Sequence, residues 1–482
     1  MELSNLIPAI GPLEVRGSGS GAITSLTYDA EAVEPGALHF CVPGFRADGH
    51  DFAGRAAERG AEALVVERFL DVELPQLRVA SSRMAMGPAA DAFYGHPSRQ
   101  LDVVGITGTN GKTTTAFLMY AILEAAGLRP GLLGTVESRI GGQVAEVKRT
   151  TPESIDLQAL FRAMADADDQ SCAMEVSSHA LELGRVAGTR FAAAGFTNLT
   201  QDHLDFHPTM EDYYLAKRRL FQMGDWPAAV NVGDEYGCRL ARETSGPVLT
   251  YAARDEEAGV RPQALEIGNG GAIAMIASTP RGPLPLDVRL RGDFNVENVL
   301  CAVALSELLD LPHDAVRRGI SSISGVPGRF EPVDAGQPFT VLVDYAHTPD
   351  SLENVLHAAR RITDRSLIVV FGAGGDRDRG KRPMMGAVAR RLADRAIVTT
   401  DNSRSEDPAA IAEEIAGELE MEVELDRRAA IARAVEAARP GDVVVIAGKG
   451  HEHGQEIAGG VKLPFDDRVA AREALEQLES RA

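Results

Sequence analysis

The segment Gly108-Thr109-Asn110-Gly111-Lys112-Thr113-Thr114 has the residue types needed to hold a polyphosphate. Its two glycines let successive N–H groups turn inward on phosphate oxygens, and a helix beginning near Lys112 adds the positive end of its dipole. Lys112 has the length to reach the terminal phosphates. The hydroxyl of Thr113 or Thr114 suits Mg²⁺, which binds few protein groups and keeps several waters. The spacing departs from the general G-x-x-x-x-G-K-[ST] pattern: Ile106 stands where its first glycine belongs, and Gly108 comes two residues later.

Further constellations lie downstream. Glu175 closes a short apolar run, a position that suits either a metal- or water-holding acid or the start of a surface helix. His203 and His207 are four apart, a spacing that puts both on one face of a helix, although no third ligand completes a zinc site. Lys217, among other bases on an amphipathic pattern, reads from its neighbours alone as a solvated lysine. In the last third, Gly372 to Arg382 combines glycines with four basic residues after a strand, and Asp401-Asn402-Ser403-Arg404 and Gly448-Lys449-Gly450-His451-Glu452 also follow strands. Three such loops belong at the carboxyl edge of an open α/β sheet, where ligands bind.

These groups need elements to position them. Asp102 to Ile106 reads as a buried strand, the glycine loop follows, and Thr113 to Ala126 has helical spacing with Gly127 as a stop. Before residue 100, brief apolar runs such as Ala63 to Val66 and Leu77 to Ala80 suit a small α/β module. Beyond a Pro/Gly-containing hinge at 324–328, β-branched runs at Thr340 to Val343, Leu367 to Phe371, Ala396 to Thr399 and Val443 to Ala447 alternate with helical patterns such as Ala409 to Glu418. That alternation predicts a parallel, doubly wound sheet.

The chain has 482 residues, too many for one core, so three domains are expected: 1–100, 101–328 and 329–482. A formal charge of −21 argues against non-specific binding to nucleic acid or anionic membrane, and requires local cations for any anionic substrate. Four scattered cysteines fit reduced thiols. Without a basic-then-apolar leader or an 18-residue apolar run, the reading is a soluble, cytoplasmic protein.

Taken in order, GTNGKTT at 108–114, TTPES at 150–154, EVSSHAL at 175–181, NLTQDHLDFH at 198–207, Lys217, GRFE at 328–331, DYAHTPDSL at 344–352, GGDRDRGKRP at 374–383, DNSR at 401–404 and GKGHE at 448–452 resemble the Mur ligases. Within that family they are most similar to the members that add a diamino acid. The resemblance implies an α/β protein of three domains, with a central P-loop ATPase-like sheet and a C-terminal Rossmann-like sheet. It implies a monomer that joins a diamino acid, best meso-2,6-diaminopimelate, to UDP-N-acetylmuramoyl-L-alanyl-D-glutamate through an acyl phosphate, in peptidoglycan precursor synthesis. L-Ornithine and L-lysine remain alternatives for the amino acid.

Residue by residue, the resemblance assigns Gly108, Thr109, Asn110, Gly111, Lys112, Thr113, Thr114, Asn298, Arg329, Asp344 and His347 to ATP. It assigns Thr150, Thr151, Ser177 and Arg185 to the UDP-sugar-peptide. Arg377, Asp401, Asn402, Arg404, Gly448 and Glu452 fall to the incoming amino acid. Thr114 or Thr113, Glu175 and His203 would hold Mg²⁺, and Lys217, carbamylated by CO₂, would hold a second ion. Two departures stand out. The pocket motif D-N-P-R reads D-N-S-R, and the uridine-side D-S-R reads Asp29-Ala30-Glu31, which leaves uridine contacts to other residues such as Gly44 to Gly49. Competing readings are a folylpolyglutamate-synthase-like ligase and a non-catalytic nucleotide-regulated binding protein.

Overall fold

Every strand that carries a candidate site residue on its carboxyl end is apolar on both faces, as a sheet covered on two sides requires. The computed structural model describes all residues except 45, 46, 146, 148, 269, 270, 420 and 482, and the side chain of 481. The chain divides into two compact units, 1–105 with 128–193, and 106–127 with 194–482.

In the first unit, five strands run in the order Glu14–Arg16, Gln76–Arg78, Ala63–Val66, Ala37–Phe40, Ser25–Thr27. Period-two alternation feeds two cores: Leu38, Phe40, Val65 and Leu77 pack with the helices Leu3–Ile10 and Ser82–Phe93, while Ala37, Leu64 and Val66 pack with Ala53–Glu58. Later in the same unit, Ser171–Glu175 lies parallel to Pro130–Leu133, whose other edge pairs antiparallel with Ser138–Ile140. Asp29 is engaged locally, capping the short turn Ala30–Ala32, and Glu31 pairs with Arg55 at 3.2 Å. The alternative uridine segment, Gly44 to Gly49, includes residues 45 and 46, which lie outside the described residues.

In the second unit, Ala193–Phe196, Ala228–Asn231 and Val248–Tyr251 are parallel neighbours. The helices Lys112–Ala125 and Asn295–Leu308 are buried around most of their circumference, consistent with their weak amphipathic pattern. An antiparallel ribbon, Arg261–Ile267, Ile273–Thr279 and Gly282–Val288, was not foreseen, although the alternation of Ile273, Met275 and Ala277 inward is a strand signal. The C-terminal sheet is the doubly wound one expected, in the order Glu331–Pro332, Thr340–Asp344, Val443–Ala447, Leu367–Phe371, Arg395–Val398, Glu422–Val423. Leu342, Val369 and Val445 face one helical layer, Val341, Val370 and Val444 the other. All its pairings are parallel except that of Glu331–Pro332 with its neighbour.

The segment 203–207 is not helical. It is a turn, with His203 at φ 56°, and the next helix begins only at Met210 after the Thr209 cap. Pro208 explains this, because it drives the preceding His207 away from the helical region. The two histidines therefore do not share a helical face, and among the described residues no cluster of three or more His, Cys, Asp or Glu side chains forms a cation cage.

Beneath the C-terminal sheet edge, Arg427 and Asp467 are both fully buried and doubly hydrogen-bonded, at 2.7 Å each. The same guanidinium donates to the carbonyls of Thr400 and Ala447, and so ties the roots of the 401–404 and 448–452 loops together. Removing one partner strands the other charge in the core at a cost of about 3–5 kcal/mol. Asp467→Ala should accordingly lower the denaturation midpoint of the C-terminal sheet, followed by near-ultraviolet circular dichroism. An unchanged midpoint would refute this role.

Candidate active site

Glu175 ends its strand 1% exposed, so it is not the surface helix start that the sequence also allowed. Its carboxylate accepts from the Thr135 N–H at 2.7 Å and from the Thr135 hydroxyl at 3.0 Å. A Cβ on Gly134 would stand 2.7 Å from the carboxylate, which accounts for a glycine there. Around it the structure gathers the four residues assigned to the UDP-sugar-peptide. The Thr151 hydroxyl donates to the Glu175 carbonyl at 2.8 Å and accepts from the Ser177 N–H at 3.1 Å. The Thr150 and Thr135 hydroxyls are 3.1 Å apart, and Arg185 donates to the Thr151 carbonyl at 3.3 Å. Arg83, Arg149 and Arg185 all converge on the single carboxylate of Glu153. Three guanidiniums about one acid leave a local positive excess in a strongly acidic chain, the condition an anionic substrate needs.

In the second unit the loop at 108–114 is built as its glycines require. Gly108 holds φ 149° and a Cβ there would meet the Thr197 hydroxyl at 1.8 Å; Gly111 holds φ 86° and its Cβ would stand 2.2 Å from Asn298 Oδ1. The loop is fastened to 197–200: the Thr109 N–H donates to the Asn198 carbonyl at 2.8 Å, and the Asn110 N–H to Asn198 Oδ1 at 2.9 Å. Asn110 Nδ2 reaches Asp350 at 2.7 Å, which joins the loop to the helix Pro349–Arg361 of the C-terminal sheet. We expect Gly111→Ala to lower ATP affinity at least about tenfold, because the clash adds to strain of about 1–3 kcal/mol for a left-handed non-glycine residue. Nucleotide titration by calorimetry checks this, and wild-type affinity would remove the loop's geometric role.

Lys112 Nζ donates to the carbonyls of Gly108 and Thr109, both at 2.8 Å. Lys217 also donates to the Gly108 carbonyl, at 2.7 Å, and is 1% exposed. The solvated-lysine reading is therefore wrong. Burial, and then the neighbouring Lys112 charge, push the Lys217 amine well below its usual range. Thr114 lies buried in the first turn of the helix, and the Thr113 hydroxyl accepts from Arg329 at 3.0 Å. Arg329 also stacks over Tyr345, 4.5 Å from the ring centroid, while Asn298 is braced by Asn295 at 2.8 Å.

Asp344, at its strand's carboxyl end, accepts from the Phe330 N–H at 2.6 Å and the Ala346 N–H at 2.7 Å. Burial raises this carboxyl despite the nearby Arg329. His347 lies 3.6 Å from Asp202, and His203 lies 3.3 Å from the same carboxylate, with Lys381 at 3.8 Å. Burial alone raises Asp202, but His203, His347 and Lys381 outweigh it and hold the group well below the usual carboxylate range. Neither Asp202 nor Lys381 was singled out from sequence. The available signal was their presence inside two quoted motifs, NLTQDHLDFH and GGDRDRGKRP.

The three C-terminal loops meet at one edge of their sheet. Asn402 Nδ2 donates to Glu452 at 3.0 Å, and Lys449 donates to Asn402 Oδ1 at 2.9 Å and to Glu452 at 2.8 Å. Gly448 lies at φ 121° with Asp401 Oδ2 2.6 Å from where a Cβ would stand. Burial raises Asp401, but Lys449 and Arg427 outweigh it, so the carboxyl lies below its usual range. Arg404, at φ 50°, donates from Nε to Glu456 at 3.0 Å and from Nη1 to the Gly375 carbonyl at 2.7 Å. Arg377 is half-exposed and faces Asp205 at 3.6 Å; its Cγ, like Arg404 Nη1 and the Asn402 carbonyl, lies within 4 Å of where a Cβ on Gly374 would stand. Glu456 was missed, because it lies beyond the recognised GKGHE segment.

A glycine loop at a strand–helix junction, in one unit with a Rossmann-like edge carrying both acids and an arginine, defines a nucleotide-using α/β protein that binds a zwitterionic small molecule. The comparisons narrow this class. Residues 22–104 match the "Mur ligase family, catalytic domain", 106–306 the "Mur ligase middle domain" and 328–450 the "Mur ligase, glutamate ligase domain". The chain is 45% identical to the UDP-N-acetylmuramoyl-L-alanyl-D-glutamate--2,6-diaminopimelate ligase of Bacillus licheniformis over 470 residues, 95% of each chain. A solved structure of a ligase of the same description aligns with TM-score 0.70 at 31% identity, covering 98% of both chains. Mycobacterium tuberculosis folylpolyglutamate synthase shares the fold, with TM-score 0.62 at 19% identity over 83% of this chain and 96% of that one. The chain belongs to the Mur ligase family.

Proposed function

We propose that the chain is an ATP-dependent amide ligase that adds meso-2,6-diaminopimelate to UDP-N-acetylmuramoyl-L-alanyl-D-glutamate in peptidoglycan precursor synthesis. The observation that carries this reading is the sheet edge at which Arg404, Asn402, Asp401, Glu452 and Gly448 converge, in the unit that also holds the 108–114 loop. A carboxylate pairs with an arginine fork, and ammonium groups pair with Asp401 and Glu452. Relatives named for the same reaction, at 45% identity over nearly the whole chain, support it.

The D-glutamate γ-carboxylate attacks the γ-phosphorus of ATP, the bond to the ADP oxygen breaks, and an acyl phosphate forms. The neutral amine of the diamino acid then attacks the acyl carbon, loses its proton as the tetrahedral intermediate collapses, and expels phosphate. Lys112 and the N–H groups of 108–114 hold the transferring phosphoryl group and stabilise its charge. Arg185, Thr150, Thr151 and Ser177 orient the dipeptide, while Asn298, Arg329, Asp344 and His347 serve the nucleotide. The family resemblance assigns Mg²⁺ to the hydroxyl of Thr114 or Thr113, the Glu175 carboxylate and His203, which would bind it together with phosphate and water. An ion held by these residues would supply charge neutralisation on the phosphate oxygens. The downward shift at Lys217 favours the free amine, the form that is a nucleophile toward CO₂, and its carbamate would offer the anion for a second ion.

The division of labour follows three segments: 1–100 for the UDP-sugar-peptide, 101–328 for ATP and 329–482 for the amino acid, in a cytoplasmic monomer. Among the described residues no helix is long and apolar enough to cross a membrane. The folylpolyglutamate-synthase likeness is one of fold alone, and the N-terminal sheet with the 401–404 and 448–452 loops speaks against that activity. A pure binding protein would need neither a metal cluster nor a carbamate.

Phosphate release is expected only when ATP, Mg²⁺, the UDP-muramoyl-dipeptide and diaminopimelate are all present. Equal release without the dipeptide would overturn the ligase reading. Preference for L-lysine or L-ornithine in the parallel assay would overturn the choice of amino acid.

A further inference from the structure

Arg404 sits in a turn with little rigidity of its own. Ser403 precedes it, and Arg404 occupies the left-handed region at φ 50°, a conformation that persists only where surrounding contacts over-determine it. Those contacts come largely from one residue outside the motif, Glu456, on the strand Gly454–Ile457 that pairs with Val461–Pro464. The Glu456 N–H donates to Asn402 Oδ1 at 2.9 Å, its carbonyl accepts from the Arg404 N–H at 3.1 Å, and its carboxylate accepts from Arg404 Nε at 3.0 Å. With Nη1 donating to the Gly375 carbonyl at 2.7 Å, the guanidinium plane is fixed at two of its three nitrogens. The Nη2 end is the part of the fork left to meet a ligand.

We propose that Glu456 is the positioning residue that aims the Arg404 guanidinium, and thereby sets the preference for an amino acid whose far end carries a carboxylate. The proposal rests on the amide-ligase reading above. Arginine holds its donors in a rigid fork, so fixing Nε and Nη1 fixes where a carboxylate must lie; the ordering is complete before the ligand arrives. The carboxylate of Glu456 also brings a negative charge near that ligand, which by itself weakens binding. Its side chain is 43% exposed, where water screens such repulsion, while Arg404 is 19% exposed, so orientation outweighs repulsion.

The test uses the full-length chain and its Glu456→Ala, Glu456→Gln, Arg404→Ala and Arg404→Ala/Glu456→Ala variants. Glu456→Ala should raise the KM for meso-diaminopimelate about tenfold, the size expected for one charge-assisted hydrogen bond. Its kcat and its KM for ATP should stay within about twofold of wild type, the split expected when only uniform binding of one substrate is lost. Glu456→Gln keeps an acceptor oxygen for Nε and should recover most of the loss. In the Arg404→Ala background, Glu456→Ala should add nothing, since it acts through Arg404.

An unchanged or lowered KM for diaminopimelate in Glu456→Ala overturns the proposal, as does an equal rise in the KM for ATP or full additivity in the double variant. If the wild-type chain ligates no diaminopimelate, the reading of function fails instead. Glu456 is then judged by the crystal structure of Glu456→Ala: an Arg404 guanidinium displaced from the Gly375 carbonyl supports the clamp, and one that has not moved removes it.

Discussion

Lys217→Ala should lose turnover by on the order of 10²–10³-fold or more, the scale at which deleting a preorganised charge acts on catalysis. The side chain is fully buried, donates to the Gly108 carbonyl, and has its amine pushed well below the usual range by burial and by Lys112. A buried ammonium beside a second lysine is unfavourable, which shifts the balance toward the free amine. The sign follows from the direction of the shift: because folding lowers the affinity for the proton, acidification through the folded pKa protonates a group that the folded state holds neutral. Carbamylation requires that neutral form, so activity tied to it falls as pH drops. Formate or acetate should partly restore Lys217→Ala, and bicarbonate should stimulate only the wild type. Full activity in Lys217→Ala would end the carbamate proposal.

Arg404→Ala should reduce kcat/KM for meso-diaminopimelate by about 10²–10³-fold, in line with the 2–5 kcal/mol lost when one partner of a hydrogen-bonded charge pair is truncated. L-Lysine, which has no distal carboxylate to leave unpaired, should suffer far less. The ratio of the two kcat/KM values is therefore the decisive measurement. Parallel losses for both amino acids would mean that Arg404 maintains the loop without reading the substrate.

The regular parts of the fold were legible because their signals are local. The runs at 367–371 and 443–447 are strands over those same residues, and the helix expected over 113–126 spans Lys112–Ala125. The need for glycine in the 108–111 turn was equally legible, since Gly108 and Gly111 occupy positions where any Cβ would collide. Lys217 was not, because burial depends on what packs over a side chain from distant sequence, and an amphipathic run with Arg218 and Arg219 beside it does not say that Lys217 is covered. The same limit hid Asp202, whose significance lies in three basic side chains contributed from residues 203, 347 and 381. The histidine pair at 203 and 207 misled in the opposite direction: a spacing of four has meaning only inside a helix, and Pro208 prevents one. The departure at Ser403 was visible from sequence, yet its compensation by Glu456 required coordinates, since 52 residues separate Glu456 from Arg404.

The strand order of the C-terminal sheet bears on how the chain is born. Val443–Ala447 lies between Thr340–Asp344 and Leu367–Phe371, so its partners leave the ribosome long before it does. Until then two apolar strands face each other across an unfilled slot, and the hydrogen-bonding edges of both are open to a stranger. Such late, non-local pairing is slow and exposes the nascent chain to misassembly. Truncation anywhere before residue 447 should leave that half of the molecule without its middle, and chaperone dependence should concentrate there, while the N-terminal sheet, complete by Arg78, is free to fold early.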